Sequence, residues 1–572
     1  MQIHKYKNRI KNNRGMAMIM TLFFSVVLIL ISGVFSLRVT TENRMVNKEI
    51  ELQKTFYAAQ SGANLALSKL NTFINTDLLT TISNSYPNNV IKYTQKKVNQ
   101  NKSIVWLVNS VRKNGDKVFI KNGDQAEYSS NGTINDQPYQ CNIIITPNGD
   151  PSDSGVDTWD LPFFYKITTT AGSDDITQDI YLSGDFTVRV RRDNFAKYAL
   201  FTNEQTTPAG TDVWFTNRTN FSGPVHSNDR FNFALNPGGI FEGAVTQEEL
   251  TARFYNYGSP ILLDADANGN IDVPTFNTGM TRDVEEIELA SPVQEQDMVD
   301  QAKGGKNLNQ NGIHIPADGN TLCGGIYVRG NGTISLSTQG ANPVYTISSG
   351  TSSKRITIDH AQNQTTVEDL KENSTHTYDG VPNGEDDAGT LIFVDGNVLG
   401  LSGTVQSNEE VTISTSDDIV INDHLRYETY TPAVGSPGDI GYVSPSAAGA
   451  TNLLGLVSWN GDVRIGTSAP NNVDVHATIL AKQGVYTVDN YDNTWAGTRG
   501  VSTLLGGVMS DRYGAFGLFN GVTGQSISGY GRNFVYDDRM ITGSAPPYFP
   551  TLKTFIAFTN DLTDKIVWQE GE

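Results

Sequence analysis

RIKNNRGMAMIMTLFFSVVLILISGVFSLRVTTE, residues 9–42, decides how the chain is organised. From Met16 to Leu37 there are 22 residues without an ionisable side chain. A helix needs roughly 20 apolar residues to span hydrocarbon, so this run is long enough to cross a bilayer. Lys5, Lys7, Arg9, Lys11 and Arg14 precede it, with no acid among them. Such a bias holds the short leader in the cytoplasm and sends the long remainder across. A cleaved secretory signal has a shorter apolar core and an A-x-A-like site after it, whereas Val34, Phe35, Leu37 and Arg38 follow here. An uncleaved signal anchor is the plainer alternative. The sharper reading is cleavage on the cytoplasmic side at Gly15–Met16, where the basic leader meets the apolar run and glycine leaves the backbone accessible.

Beyond the membrane run, Phe56, Ala59, Ala63, Leu67, Leu70 and Ile74 recur at steps of three or four, while Lys48, Glu49, Glu51, Lys54 and Lys69 take the other faces. The spacing predicts one continuing amphipathic helix whose apolar side packs on a following sheet, with helix signals fading near Thr72–Leu79. Gly15 to Leu70, and YAAQSGANLALSKL at 57–70 above all, resembles the PilX-type N-terminal domain of type IV pilus assembly proteins. That resemblance implies a prepilin-type leader cut by a prepilin peptidase between Gly15 and Met16. It implies a minor pilin whose partners are other major and minor pilins and the pilus assembly platform. Its location would be the bacterial inner membrane as a single-pass protein before assembly, and the pilus or cell surface afterwards. The chain departs from major pilins at Met20, where they carry a glutamate that pairs with a neighbour's terminal amine. It also has no proline before Pro87, so a straighter helix is expected.

Strand alternation sharpens after residue 130. Tyr139, Cys141, Ile143 and Ile145, then Tyr165, Ile167 and Thr169, then Ile180, Leu182, Phe186, Val188 and Val190 alternate with polar residues. Turns at 148–150 and 171–175 separate them, which predicts an antiparallel meander with one buried face. Arg189, Arg191 and Arg192 read as solvated bases on an edge strand. From Ala196 onward short β-rich runs are punctuated by G-N, D-G and N-G turns, as in 324–336, 389–405, 408–428, 455–466 and 473–491; a helix-like stretch at 285–303 interrupts them. The fold class expected is α+β: a long N-terminal helix with a small antiparallel sheet, followed by a mainly-β ectodomain. A β-solenoid is the first choice for that ectodomain and a sandwich the alternative. The expected divisions are 1–15 leader, 16–75 helix, 76–195 antiparallel β module and 196–572 ectodomain.

Acids outnumber bases by 61 to 42, for a net charge of −19. That balance argues against nucleic acid and against anionic lipid as a docking surface. Cys141 and Cys323 are the two cysteines, with no CxxC, and nothing in their spacing demands a disulfide.

The best local motif is Asp264, Asp266, Asn268, Asn270 and Asp272, alternating oxygen donors around Gly269 with Ile271 as an apolar peg. The spacing matches the first nine positions of an EF-hand-type loop, making it a candidate Ca2+ site. The usual closing glutamate is replaced by Thr275, so Glu285, Glu286 or Glu288 would have to fold back. An Asp/Asn/Gly turn between strands would use the same residues. None of the seven histidines forms an HExxH, and neither G-x-S-x-G nor a P-loop occurs. Asp386, Asp387, Asp417 and Asp418 would suit a glycosidase pair only at the right separation, and turn chemistry accounts for them more simply. No enzyme is expected. The alternatives carried forward are a type II secretion tip pseudopilin and a membrane-anchored carbohydrate-active enzyme on a β-helix.

Overall fold

The computed structural model describes residues 7–85, 102–112, 119–155, 158–173, 176–216, 219–234, 239–256, 259–264, 273–386, 388–430, 442–520, 525–559, 562 and 567–570. Helix α1 runs unbroken from Lys7 to Phe73, about 100 Å at 1.5 Å per residue. A π-helical segment, Ile74–Leu78, joins it to α2 (Leu79–Ser85), so the helical path continues past the point where its sequence signals fade. A short helix α3 (Ser103–Arg112) lies against this end.

The C-terminal half of α1 packs on an antiparallel sheet. Its strands are β1 (Ile120–Asn122), β2 (Gln125–Ile134), β3 (Gln137–Pro147), β4 (Ser152–Gly155), β5 (Thr158–Ser173) and β6 (Ile176–Asn194). The path is β1-β2-β3-β5-β6, with β4 on β5. The period-two pattern read from the sequence appears as burial: Ile143, Ile145, Tyr165, Ile167, Leu182, Val188 and Val190 all point into the core beneath the helix. The outer edge of β6 is covered by strands from the far end of the chain, Thr551–Thr559 and Val567–Glu570, both antiparallel to it. This corrects the edge-strand reading of residues 183–192. Arg192 is buried, Arg191 lies 5.4 Å from the ring of Phe558, and only Arg189 remains at the surface, paired with Asp160 at 2.7 Å.

The remaining chain is inserted between β6 and those last strands. It forms two large sheets that share one buried core. One has the order 280–281, 245–247, 225–227, 200–202, 508–510, 478–481, 453–458, 410–415, 390–395, 326–329, 312–314, and all but its last pair are parallel. The other carries the partner runs, such as Val398–Val405, Ile419–Tyr427, Thr498–Leu505 and Ser526–Val535, and extends into an antiparallel meander from Gly332 to Asp379. Strand Thr390–Asp395 is buried on both faces, because α4 (Pro292–Lys303) packs over the outside of the first sheet. Two-sided burial is why its sequence is an unbroken apolar run rather than an alternating one.

The solenoid expectation gives way here to the sandwich-like alternative. A solenoid keeps chain order in its stack. In this sheet the strands rise in chain order from Ile326–Arg329 to Val508–Ser510, but the next neighbour is Leu200–Thr202, from which the earlier strands run outward, again in chain order, to Met280–Thr281. Residues 282–311, with α4 among them, then carry the chain to the opposite end. No closed barrel or single solenoid results among the described residues.

The Asn and Asp residues of the turns hold the parallel ladders in register. The Oδ1 of Asn331 accepts the backbone N–H of Asn397 at 2.9 Å, and that of Asn397 accepts Asp418 N–H at 3.2 Å. Asp418 accepts Asp462 N–H at 2.8 Å, and Asp462 accepts Val485 N–H at 2.9 Å. Each turn thus satisfies a backbone donor of the next, which a lone turn could not do.

Candidate membrane and assembly interface

The chain's most distinctive surface is the protruding half of α1. From Gly15 to Leu37 every residue but Val27 stands exposed, with Ile19 and Leu37 at 71%. Helix α1 is the one described helix long and apolar enough to cross a membrane. Two of its hydroxyls are satisfied within the helix: Thr21 Oγ1 donates to Ala17 O at 2.9 Å and Ser25 Oγ to Thr21 O at 2.7 Å. Polar groups paired in this way can sit in hydrocarbon, where no water would satisfy them. Charge returns at Arg38, which pairs with Glu42 one turn on at 3.1 Å.

The same helix changes character where it meets the sheet. Thr55, Ala58, Ala59, Gly62, Ala63, Ala66, Leu70 and Phe73 form its buried face, against β3, β5 and β6, and Ile74 and Leu78 of the π-helical segment continue the buried side. The residues nearest the membrane run are small, so the backbone lies close on the sheet. A Cβ on Gly62 would stand 2.8 Å from Thr169 Cγ2 and 2.9 Å from Tyr139 Cδ2. Larger residues follow, and Phe73 stacks on Phe119 at 4.2 Å. The helix is therefore seated on the antiparallel sheet over its C-terminal part and uncovered over its N-terminal part.

The sequence-derived sites fare unequally. Gly15 is exposed on α1, with no atom within 4 Å of where a Cβ would stand, and Met16 is exposed beside it. Asp264 is exposed at the end of strand Ser259–Leu263, while Asp266, Asn268, Asn270 and Asp272 lie outside the described residues. Among the described residues no three His, Cys, Asp or Glu side chains gather as a metal site. Cys141 and Cys323 are both free thiols, the first buried beside Ser130. Of the acids weighed for hydrolysis, Asp386 exchanges hydrogen bonds with Gln301, Asp418 pairs with Arg464 at 2.8 Å, and Asp387 lies outside the described residues.

Sequence reasoning missed several buried polar groups. His226 is buried, with Nε2 on Asn228 Oδ1 at 2.9 Å and Nδ1 on Thr246 Oγ1 at 2.8 Å; burial pushes its pKa down to about 4. His476, whose Nδ1 accepts the Tyr427 N–H, is likewise pushed down to about 4 by burial. Glu409 is buried and takes hydrogen bonds from Tyr345 and His360; its carboxylate raises the His360 pKa. Arg539 pairs with Asp537 in the core and donates to the carbonyls of Ala450 and Asn452. Each of these ties one run of strands to another. Isolated His, Glu and Arg residues in turn-rich sequence give no local sign of such pairings.

Residues 158–249 match the family described as Domain of unknown function (DUF4900), well under half of the chain. No curated protein matches the chain. Among solved structures, the crystal structure of the competence-associated pilin ComZ from Thermus thermophilus covers 91% of this chain and 98% of that chain, at 10% identity and a TM-score of 0.31. Similarity at that level carries no argument about what this chain does.

Proposed function

We propose that this chain is a type IV pilus-related minor pilin, a building block rather than an enzyme. The observation that carries the reading is the division of α1. Its apolar N-terminal half is bare, and its C-terminal half is fixed to an antiparallel sheet through the YAAQSGANLALSKL segment that resembles PilX-type proteins. The bare half enters the membrane first and packs among neighbouring pilin helices afterwards. Gly15–Met16 is the processing site, and the acidic β-rich body is displayed outside, at or near the filament tip. In that position it primes assembly or touches a surface.

The test is to shear surface filaments from cells and determine the protein's N-terminal residue by mass spectrometry, with and without prepilin peptidase. A chain beginning at Met16 in the sheared fraction, lost without the peptidase, is the expected result. A chain retaining residues 1–15 in the membrane fraction would make it an anchored surface protein instead. The Asp264–Asp272 segment is proposed as a stabilising Ca2+ loop. Calcium is expected to raise the melting temperature over that in chelator, and Asp266→Ala to remove the difference; equal melting of the wild type in both solutions would reduce the segment to a turn.

A further inference from the structure

Strands Trp214–Phe215, Asn232–Phe233, Ala252–Asn256 and Ser259–Leu263 form a small four-stranded sheet apart from the two large ones. Register places Phe215, Phe233, Phe254 and Ile261 in one row, and Trp214, Asn232, Arg253 and Leu262 in the next. The phenylalanines face the core, with Phe233 stacked on Phe254 at 5.4 Å. Side chains alternate along a strand, so the second row faces outward, as does Tyr255 two residues beyond Arg253.

That outward face holds chemistry the pilin reading does not use. The rings of Trp214 and Tyr255 meet at 87° with centroids 6.5 Å apart, forming an aromatic corner. The Arg253 guanidinium lies 6.0 Å from the Trp214 ring and is ion-paired with Asp212. Between Trp214 and Arg253 in the row is Asn232, only 3% exposed. Its amide nitrogen donates to Val213 O at 3.1 Å, but its Oδ1 has no hydrogen-bond partner among the described residues. An unpaired buried acceptor is costly, and a valine would fill a strand position without that cost.

We propose that this face binds a neutral saccharide. A pyranose ring stacks its C–H face on Trp214, its hydroxyls bond to the Arg253–Asp212 pair, and one hydroxyl donates to Asn232 Oδ1. The charges select this class. Arg253 is neutralised within the site, so a phosphate would meet the Asp212 carboxylate and an ammonium would meet the guanidinium. A hydroxyl-rich ligand offers donors and acceptors to both, and only a donor satisfies the orphaned amide oxygen. The Trp214 and Arg253 side chains, both part-exposed, are the groups that give way for the hydroxyl to reach it. No bond is made or broken in the ligand. The site is on the body and does not depend on how α1 is used.

The test is isothermal calorimetry on the full chain in a polyoxyethylene detergent, which carries no sugar. The probes are soluble neutral oligosaccharides of glucose, galactose, mannose and N-acetylhexosamines, with sulfated and uronic-acid oligosaccharides beside them. At least one neutral oligosaccharide is expected to bind. Trp214→Ala should abolish that binding, and Asn232→Val should weaken it at least about tenfold while melting is unchanged or raised. If Trp214→Ala fails to fold, Asn232→Val, close in size and apolar, decides alone. Absence of binding by every neutral probe, binding confined to the acidic probes, or full affinity in Asn232→Val would each overturn the proposal.

Discussion

Gly62 shows how much one position can fix. It sits in the middle of the small-residue face of α1, and a side chain there meets Thr169 and Tyr139 at under 3 Å. Gly62→Val is therefore expected to push the helix off the sheet and lower stability by about 1–3 kcal/mol, the usual cost of overpacking. Thermal melting checks this, and an unchanged midpoint would mean the helix is not seated as described. The buried histidines give a second prediction, with a definite sign. His226 and His476 have folded pKa values of about 4 against an unfolded value near 6.5. Between those values the unfolded chain binds more protons. The contribution is thus complete above about pH 6.5 and is lost as pH falls toward 4, on the order of 3 kcal/mol per histidine at most. His360 runs the other way, because its raised pKa makes its pairing with Glu409 stronger below the unfolded value and weaker as pH rises through the folded one. Denaturant midpoints measured from pH 7.5 to 4.5 should fall, and replacing both His226 and His476 by glutamine should flatten the slope. The helix face was legible because its spacing of three and four is local. The pairing of His360 with Glu409 was not, since 49 residues separate them and neither has a patterned neighbourhood.

Among the elements, the turns were the easiest to locate and the hardest to interpret. G-N, D-G and N-G pairs marked where strands end, and the structure has strands ending at Arg329, Asp395 and Ser458 as those pairs suggest. What the residues cannot announce is that Asn331, Asn397, Asp418 and Asp462 reach across to the next turn and fix register there. That function makes them more than surface residues. Asn397→Ala removes the acceptor for Asp418 N–H and the group that contacts Asn331. A loss of about 1–2 kcal/mol is expected, as for other side-chain caps of backbone donors. A denaturant midpoint unchanged from the wild type would show that water replaces the ladder at no cost. The same reasoning explains why a solenoid was expected. Local strand-turn-strand units are common to stacked and opposed sheets, and the stacking order depends on which distant edges meet.

At the scale of the whole molecule the decisive contact is the least local one. Strands Thr551–Thr559 and Val567–Glu570 return after some 350 residues of body to close the edge of β6. Backbone N–H of Ala557 donates to Ser83 Oγ at 3.0 Å, so the returning strand also touches α2. Where the chain crosses between the two parts, Phe195 N–H donates to Pro550 O at 3.1 Å, and Gln294 exchanges two hydrogen bonds with the backbone of Thr551. The body is thus joined to the helix module at both ends of its insertion. No period in the sequence reveals this, since a strand carries no mark of which edge it will cover. The arrangement has a measurable consequence. Ending the chain after Pro550 leaves β6 as an open edge, uncovers the buried Arg192 and takes the Phe558 ring away from Arg191. The two buried cores are separate clusters, one under α1 and one between the large sheets. The truncated chain is therefore expected to melt in two steps, with the helix module first and the body near its original midpoint. Amide exchange in β6 should accelerate while that in Thr390–Asp395 stays slow, because the inner strand keeps all its neighbours. A single transition at the original temperature, with β6 still protected, would show that the returning strands do not hold the two parts together.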